Sequence, residues 1–434
     1  MRLLSGAGLP HRVALLSIHT SPLDQPGTGD AGGLNVYVVE LSKRLAATGI
    51  DVEIFTRATR PRLEPSVELA DGVLVRHLES GALEGMRKQD LPAQLCSLSS
   101  GVLRAEADRP PGWYDIIHSH YWLSGQVGSV ASERWNVPLI HSMHTLAKVK
   151  NASLAIGDTP EPQMRVMGEQ LVVDVADRLI ANTDDEKHDL VSLYSAEPRR
   201  VNIVHPGVDL DLFSPGSKSE ARMQSGVAKD AQVLLFVGRI QPLKGPDVLI
   251  RATAKMVQRK PALRESLITV ICGGPSGAGP ERLDELRGLA ESLGVADLVR
   301  FEPPATREKL VEWLRAADLV CVPSYSESFG LVAVEAQASG TPVVAAAVGG
   351  LRTAVADGVS GRLVDGHLPA DWATVLADLL KRPRERERLA IGARNHATNF
   401  GWAATTAGTI DAYRGAIQDR QNVQADDRWK RSSA

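Results

Sequence analysis

The chain has 434 residues, a formal net charge of −3, 43% hydrophobic residues and three cysteines. This length exceeds the roughly 250 to 300 residues that one hydrophobic core usually serves, so we expect two domains with a ligand cleft between them. The charge argues against nucleic acid or a membrane as a partner, and the widely spaced cysteines argue against a disulfide framework.

We expect no export or membrane signal in the first residues. Apolar runs in MRLLSGAGLPHRVALLSIHTS are short and broken by Gly, Pro and Arg, too short for a signal peptide or a spanning helix. We therefore expect a soluble cytoplasmic protein. Residues 1–11 form an N-terminal extension with no assigned role.

The first half alternates short runs rich in Val and Ile with longer helical patterns. Strands are predicted at RVALLSI, DVEIFT, YDIIHSH, PLIHSMH, RLIANT and RVNIVHP. Helices are predicted at Leu34 to Ala47, Ala93 to Glu106, Gln163 to Val175 and Glu186 to Tyr194. This alternation predicts a Rossmann-like α/β domain with a parallel sheet over residues 12–205.

A second strand series follows a segment with little periodicity. Residues 206–231 are rich in Pro, Gly, Ser and Asp and predict a linker or hinge. Strands at AQVLLFVG, LITVICGG, LVRFEPP, DLVCVPS, TPVVAAA and GRLVDG predict a second Rossmann-like domain over residues 232–400. A terminal helix is predicted at 401–418 and a flexible tail at 419–434.

Ligands of open α/β sheets bind beyond the carboxyl ends of the strands, so the loops there carry the candidate site. In the first of them, Gly32 and Gly33 join the loop HTSPLDQPGTGDAGG to its helix, where free N–H groups favour a phosphate. The spacing matches neither G-x-G-x-x-G nor the Walker pattern. A flexible turn before a helix remains the alternative.

The second half supplies a matching set of charges. Arg239 and Lys244 in FVGRIQPLKG follow a strand and can clamp a diphosphate. Glu327 and Glu335 in SESFGLVAVEA can accept hydrogen bonds from sugar and ribose hydroxyls if a helix starts at Gly330. Exposed surface charge is the alternative. The glycine-rich loop CGGPSGAGP (272–280) is a weaker signal of the same kind.

Four histidines cluster in sequence at His118, His120, His141 and His144. No acidic partner stands at ligand spacing, so a zinc site is not predicted. His118 and His141 are interpreted as core histidines, whereas His144 follows a strand and is placed at the reacting sugar.

Together these motifs resemble the retaining glycosyltransferases of family 4, which have the GT-B fold, over residues 12–415. HTSPLDQPGTGDAGGLNVYV, HSHYWLSGQVG and MHTLAKVKN are similar to the inositol-phosphate branch of that family, which opens mycothiol biosynthesis in actinobacteria. The resemblance implies transfer of N-acetylglucosamine from UDP-N-acetylglucosamine to 1D-myo-inositol 3-phosphate, release of UDP, and a homodimer. It also implies that the terminal helix at 401–418 crosses back to the first domain.

The resemblance also assigns roles to residues. It implies that the donor is bound by Gln25, Pro26, Gly33, Arg239, Lys244, Glu327 and Glu335. It implies that the acceptor is bound by His19, Asp30, Ala31, Gly32, Gly33, Leu34, Asn35, Lys88, Tyr121, Thr145 and Arg165. It implies catalytic roles for His144, Arg239, Lys244 and Glu327. On their own, Lys88 and Arg165 would be interpreted as surface charges.

The family retains the anomeric configuration, and no carboxylate is obviously placed as a covalent nucleophile. We therefore expect a front-face reaction in which the leaving phosphate deprotonates the incoming hydroxyl while Arg239 and Lys244 stabilise charge on UDP. No cofactor is required in this mechanism. Some relatives bind Mg²⁺, but no acidic ligand cluster is evident, so no metal site is predicted.

Three alternatives remain open. The acceptor could be sucrose-like or phosphatidylinositol, although no helix is notably basic and amphipathic as a lipid acceptor would require. The chain could be a UDP-sugar epimerase. It could also be a sensor that binds a UDP-sugar without turnover.

Overall fold

A computed structural model describes residues 9–155, 157–275 and 281–432. Most of the predicted N-terminal extension, the end of the 272–280 glycine loop and the last two residues lie outside these ranges. Among the described residues, no helix combines the length and apolar character needed to cross a lipid bilayer.

In the described ranges, eight strands form the sheet of the first domain, in the order β3-β4-β2-β1-β5-β6-β7-β8. They are β1 (Arg12–Leu16), β2 (Asp51–Arg57), β3 (Ser66–Ala70), β4 (Val73–Leu78), β5 (Ile116–His120), β6 (Leu139–Ser142), β7 (Arg178–Ala181) and β8 (Val201–Ile203). Only the edge strand β3 pairs antiparallel there; the other pairs are parallel, as the uninterrupted apolar runs predict.

The helices of this domain cover both faces of the sheet. They are α1 (Gly33–Ala47), α2 (Leu95–Ala107), α3 (Trp122–Trp135), α4 (Ala147–Ala152), α5 (Gln163–Val175) and α6 (Asp184–Tyr194). The predicted helices lie within two residues of α1, α2, α5 and α6. Helix α3 was not predicted, because much of its surface is buried and it has no single apolar stripe.

Close packing explains the glycines of α3. A Cβ on Gly125 would lie 2.6 Å from the Val172 side chain of α5, and one on Gly128 would lie 2.9 Å from Leu139 of β6. These contacts seat α3 between the sheet and α5. As a result, the loop between β5 and α3 is held at the carboxyl end of the sheet.

The predicted linker at 206–231 contains a helix, α7 (Lys218–Gln224). Ser217 caps it by accepting from the Glu220 amide, and Lys218 and Arg222 bind Asp318 of the second domain at 2.6 and 2.9 Å. Because α7 packs on the second domain, the irregular part of the connection is shorter than predicted.

In the part of the chain that the structure describes, the second sheet has six parallel strands in the order β11-β10-β9-β12-β13-β14. They are β9 (Gln232–Val237), β10 (Leu267–Cys272), β11 (Val299–Glu302), β12 (Leu319–Val322), β13 (Val343–Ala346) and β14 (Gly361–Val364). Its helices are α8 (Pro246–Arg259), α9 (Glu281–Ser292), α10 (Arg307–Ala316), α11 (Leu331–Ala338), α12 (Leu351–Ala354), α13 (Pro369–Lys381) and α14 (Pro383–Ala397). Both sheets have the doubly wound order of Rossmann-like domains.

The terminal helix α15 (Trp402–Ser432) returns to the first domain and is longer than predicted. The tail predicted from residue 419 is helical through Ser432. Asp419 binds Arg178 at 2.5 Å and Arg420 binds Asp177 at 3.2 Å, so polar contacts that leave no apolar pattern extend the packed helix.

Candidate active site

A cavity of about 330 Å³ lies between the two domains, beside a second one of about 300 Å³. The first is lined by fifteen of the predicted site residues: His19, Gln25, Pro26, Asp30, Gly32, Gly33, Leu34, Lys88, Tyr121, His144, Thr145, Arg239, Lys244, Glu327 and Glu335. Arg165 lines the second, which shares Asp30, Lys88 and Arg239 with the first. The cleft therefore gathers residues from loops of both sheets.

Ala31 and Asn35 do not line either cavity. Both are buried, Ala31 within the opening loop (residues 19–33) and Asn35 in the first turn of α1, at 2% and 1% exposure. Asn35 accepts a hydrogen bond from the Gly32 amide at 2.9 Å and donates to Thr20 and to the Ser21 carbonyl. Asn35 thus stabilises the conformation of the opening loop.

The glycines of the opening loop permit two kinds of close approach. Gly27 has φ of +89°, a conformation that favours glycine, and its carbonyl lies under Gly274 of the second domain. A Cβ on Gly33 would lie 3.2 Å from Leu331, the first residue of α11. The first domain therefore contacts the second through backbone as well as side chains.

A cationic pocket lies on the first-domain side of the cleft. Lys88, at the start of a 3₁₀ helix, has its ammonium 4.4 Å from the centre of the Tyr121 ring, and the Arg165 guanidinium lies 5.0 Å from the same ring. Arg165 donates to Thr145 Oγ1 and to Glu169 Oε1, both at 2.8 Å, and is 3% exposed. Two cations from distant parts of the chain, one from a 3₁₀ helix and one from α5, thus lie against the same aromatic ring.

Burial acts differently on the two cations. It lowers the pKa of Lys88 to about 8, a shift that Asp30 opposes. Burial also disfavours the charge of Arg165, but Tyr121, Glu169 and Glu161 outweigh it and raise the pKa of Arg165 above its usual value. Arg165 is therefore a permanent cation, whereas Lys88 loses its charge within the accessible pH range.

The second-domain side carries the two cations predicted from FVGRIQPLKG. Arg239 follows β9 and lies against Gly32 of the opening loop, and burial lowers the pKa of its guanidinium. Lys244 Nζ donates to Glu327 Oε2 at 2.5 Å, and the Ser324 hydroxyl donates to the same oxygen. Lys244 and Glu327 thus orient one another at the cavity wall.

Glu335 also reaches the cavity, from the middle of α11. The helix begins at Leu331 after Gly330, whose φ of +99° places the turn where the sequence predicted it. Burial raises the pKa of the Glu335 carboxyl to about 7, and Arg307 acts in the opposite direction. A buried carboxylate of this kind needs hydroxyl or N–H donors to stabilise its charged form.

The histidines separate into two groups. His118 contacts the Tyr413 hydroxyl and Ser142, and His141 contacts Ser119, all within 3.0 Å, which confirms both as core histidines. His144 faces the cavity with φ of +60°, and its Nε2 lies 2.8 Å from Nδ1 of His120. Burial lowers the pKa of His144 to about 3.

Sequence reasoning missed one wall of the cavity. Cys272, Pro304, Thr306 and Leu310 line it beside the predicted donor residues. Cys272 ends β10, Pro304 and Thr306 follow β11, and Leu310 lies in the first turn of α10. Strand-end position would have indicated the first three, although none carries a charge. This wall is mostly apolar and suits a flat ring.

Two family models match the chain. Residues 32–207 match the glycosyl transferase 4-like domain, and residues 217–396 match glycosyl transferases group 1. The structure is similar to sucrose-phosphate synthase from Thermosynechococcus elongatus, with a TM-score of 0.86 and 30% identity over 94% of this chain and 100% of that one. HepE from Anabaena, solved with UDP and glucose, is 21% identical over 93% of this chain and 98% of that one, with a TM-score of 0.71.

Curated relatives are more similar in sequence. The D-inositol 3-phosphate glycosyltransferase 2 of Catenulispora acidiphila is 63% identical, covering 95% of this chain and 96% of that protein. The D-inositol 3-phosphate glycosyltransferase of Thermomonospora curvata is 61% identical, covering 95% and 97%. With likeness of this degree over nearly the whole length, the chain belongs to the D-inositol 3-phosphate glycosyltransferases, a family with the GT-B fold.

Proposed function

We propose that this protein transfers N-acetylglucosamine from UDP-N-acetylglucosamine to 1D-myo-inositol 3-phosphate, releases UDP, and so begins mycothiol biosynthesis. The observation that carries the proposal is the cationic pocket of half-buried Lys88 and buried Arg165, which faces Arg239 and Lys244 across one cleft. A pair of cations on each side suits a phosphorylated acceptor on one and a nucleoside diphosphate on the other.

The acceptor pocket matches a phosphate dianion. Lys88 and Arg165 supply charge, and Thr145 Oγ1 is already oriented by Arg165 at 2.8 Å. Tyr121, at 5% exposure, offers a hydroxyl and an aromatic face between the two cations. Glu161 and Glu169 compensate Arg165, whereas Lys88 has no carboxylate at ion-pair distance among the described residues, so the pocket favours an acceptor that brings an anion to Lys88.

The donor groups fit the opposite wall. Arg239 and Lys244 take the diphosphate of UDP. Glu335 accepts hydrogen bonds from the ribose hydroxyls, and Glu327, oriented by Lys244 at 2.5 Å, takes hydroxyls of the transferred sugar. Relatives named for the same acceptor support the assignment, and neighbours of the same fold were solved with UDP.

These groups support a front-face mechanism with retention. His144 is not a base near neutrality, because burial lowers its pKa to about 3. The leaving phosphate oxygen takes the proton of the attacking inositol hydroxyl, the glycosidic bond to UDP breaks, and the new bond forms on the same face. Arg239 and Lys244 stabilise the negative charge that develops on UDP.

Metal independence stays a prediction. Among the residues that the structure describes, no group of three or more His, Cys, Asp or Glu side chains is gathered at metal-binding distance. A cytoplasmic location is likewise a proposal, and it rests on the sequence features alone.

Three other functions are compared with this proposal. Sucrose-phosphate synthase shares the fold at 30% identity, half the identity of the inositol 3-phosphate enzymes, so a sucrose-type acceptor has weaker support. A UDP-sugar sensor would bind donor without turnover, and phosphatidylinositol would place a lipid tail at the cleft. The acceptor decides between these functions.

The first prediction concerns acceptor dependence. Purified protein should release UDP from UDP-N-acetylglucosamine when 1D-myo-inositol 3-phosphate is present, and roughly 100-fold more slowly with inositol, because charge-assisted bonds to the phosphate are lost. A coupled UDP assay with and without EDTA measures both acceptor and metal dependence. Arg239→Ala serves as the inactive control. Equal rates with inositol would contradict the proposal.

The second prediction follows from Lys88. Its cation is present below pH 8 and lost above it, so kcat/KM for the phosphorylated acceptor should fall as pH rises through about 8. Lys88→Arg keeps the cation and should move this fall to higher pH. Lys148→Arg on α4 is the control, because Lys148 packs on Tyr194 away from the cavity. An unchanged alkaline limb in Lys88→Arg would argue against this assignment.

The third prediction concerns Glu335. Burial raises the pKa of this carboxyl from 4.5 to about 7 in the folded protein. The free energy of unfolding therefore decreases as pH rises from about 4.5 to about 7, and the full loss persists at higher pH. Glu335→Gln should therefore raise Tm by roughly 2 °C or more at pH 8, shrink that gain toward pH 4.5, and weaken UDP binding. Calorimetry measures both, with exposed Glu291→Gln as control. Tighter UDP binding in Glu335→Gln would exclude a ribose contact.

The fourth prediction concerns the homodimer, which we propose from the family resemblance. Helix α5 exposes an apolar stripe of Met164, Met167, Leu171 and Val175, between 47% and 64% exposed, and a second copy would cover it. Met167→Asp should produce monomers in analytical ultracentrifugation. Ile391→Asp, at a similarly exposed position on α14, should not. A wild-type monomer at micromolar concentration would exclude the dimer.

A further inference from the structure

The hydrogen bond between His120 and His144 has no role in the reaction as proposed so far. His120 is the last residue of β5, and His144 lies two residues beyond the end of β6. The strands are adjacent and parallel, with His120 in register with Ser142, so the two imidazoles meet below the cavity. His120 Nδ1 lies 2.8 Å from His144 Nε2.

A single proton lies between His120 Nδ1 and His144 Nε2 in this hydrogen bond. Both imidazoles are neutral, because burial lowers the pKa of His120 well below its usual value and that of His144 to about 3. A neutral imidazole has one N–H and one bare nitrogen. Either His120 donates and His144 carries its own proton on Nδ1, or His144 donates from Nε2 and its Nδ1 is bare.

The environment of His120 Nε2 favours the first arrangement. This nitrogen is buried and has no hydrogen-bond partner among the described residues. The nearest ring, His118, lies 4.2 Å away, and both of its nitrogens are engaged by Tyr413 and Ser142. If His144 donated, His120 Nε2 would carry an orphaned buried N–H, which is rarer than an unsatisfied acceptor.

We propose that His120 is a positioning residue for sugar transfer: it donates its Nδ1–H to His144 and holds His144 as the tautomer whose Nδ1–H faces the transferred sugar. The inference rests on the proposed function, because it takes His144 to lie at the sugar. In this tautomer His144 donates a hydrogen bond to a sugar or phosphate oxygen and transfers no proton. The opposite tautomer would present a bare nitrogen to the same oxygen.

Asparagine and leucine at position 120 separate the hydrogen bond from the packing. The side-chain amide of His120→Asn can place an N–H near the position of Nδ1, whereas His120→Leu fills similar space without a donor. His141→Asn is the matched control. His141 is equally buried on the neighbouring strand, but it contacts Ser119 and the Met143 sulfur.

The first readout is the tautomer itself. In ¹⁵N-histidine-labelled full-length protein, the His144 signals are assigned by their loss in His144→Gln. We expect a protonated Nδ1 and a bare Nε2 in the wild type, in His120→Asn and in His141→Asn. His120→Leu should give a mixture or the reverse. A protonated Nε2 on His144 in the wild type would overturn the proposal.

The second readout is kinetic. Removing a partner that orients a functional imidazole costs roughly 10- to 100-fold in metal sites, and we expect a loss of that order in kcat for His120→Leu, with KM for the donor little changed. His120→Asn should recover most of it. Wild-type kcat in a folded His120→Leu protein would also overturn the proposal. If the wild type transfers no sugar to inositol 3-phosphate, the proposed function fails, while the tautomer measurement still decides the His120 arrangement.

Discussion

Burial of positive charge between two domains is the constraint on which the site depends. Lys88, Arg165, Arg239 and Lys244 all reach one cleft, and a buried cation is costly unless a partner compensates it. Glu161 and Glu169 do so for Arg165, and Glu327 does so for Lys244. Because these partners fix the cations before any anion binds, the cleft is ordered for phosphate chemistry.

An ion pair at the edge of the first cavity also joins the two domains. Arg307 at the start of α10 binds Glu40 of α1 at 2.6 Å, and Glu40 also binds Arg44. Arg307 lines the donor cavity and acts on the carboxyl of Glu335. The Arg307 guanidinium therefore takes part both in the donor site and in the contact between the domains. Binding of the donor is in this way coupled to the packing of one domain against the other.

The sequence predicted most of the architecture because both sheets are parallel and buried, which leaves uninterrupted apolar strands separated by helices. It missed α3, whose buried surface has no single apolar stripe, and α7, which polar contacts with Asp318 hold. Strand-end loops predicted Arg239, Lys244 and Glu327, and the helix start at Gly330 predicted Glu335. Lys88 and Arg165 came only from family resemblance, because two residues this far apart in the chain, one in a 3₁₀ helix and one in α5, leave no local pattern. His120, the hydrogen-bond partner of His144, could be identified only from the register of β5 against β6 in the structure.

Helix α15 begins after the second domain yet completes the core of the first. Trp402 and Tyr413 pack with Tyr37 and the strands of the first sheet, and Tyr413 contacts His118 below the active site. On the ribosome, the domain made first must therefore wait for the last helix before its interior closes. Domains usually fold in the order of their synthesis. Here the N-terminal domain finishes folding last, and a chain cut short near residue 400 would expose its unfinished core to quality control.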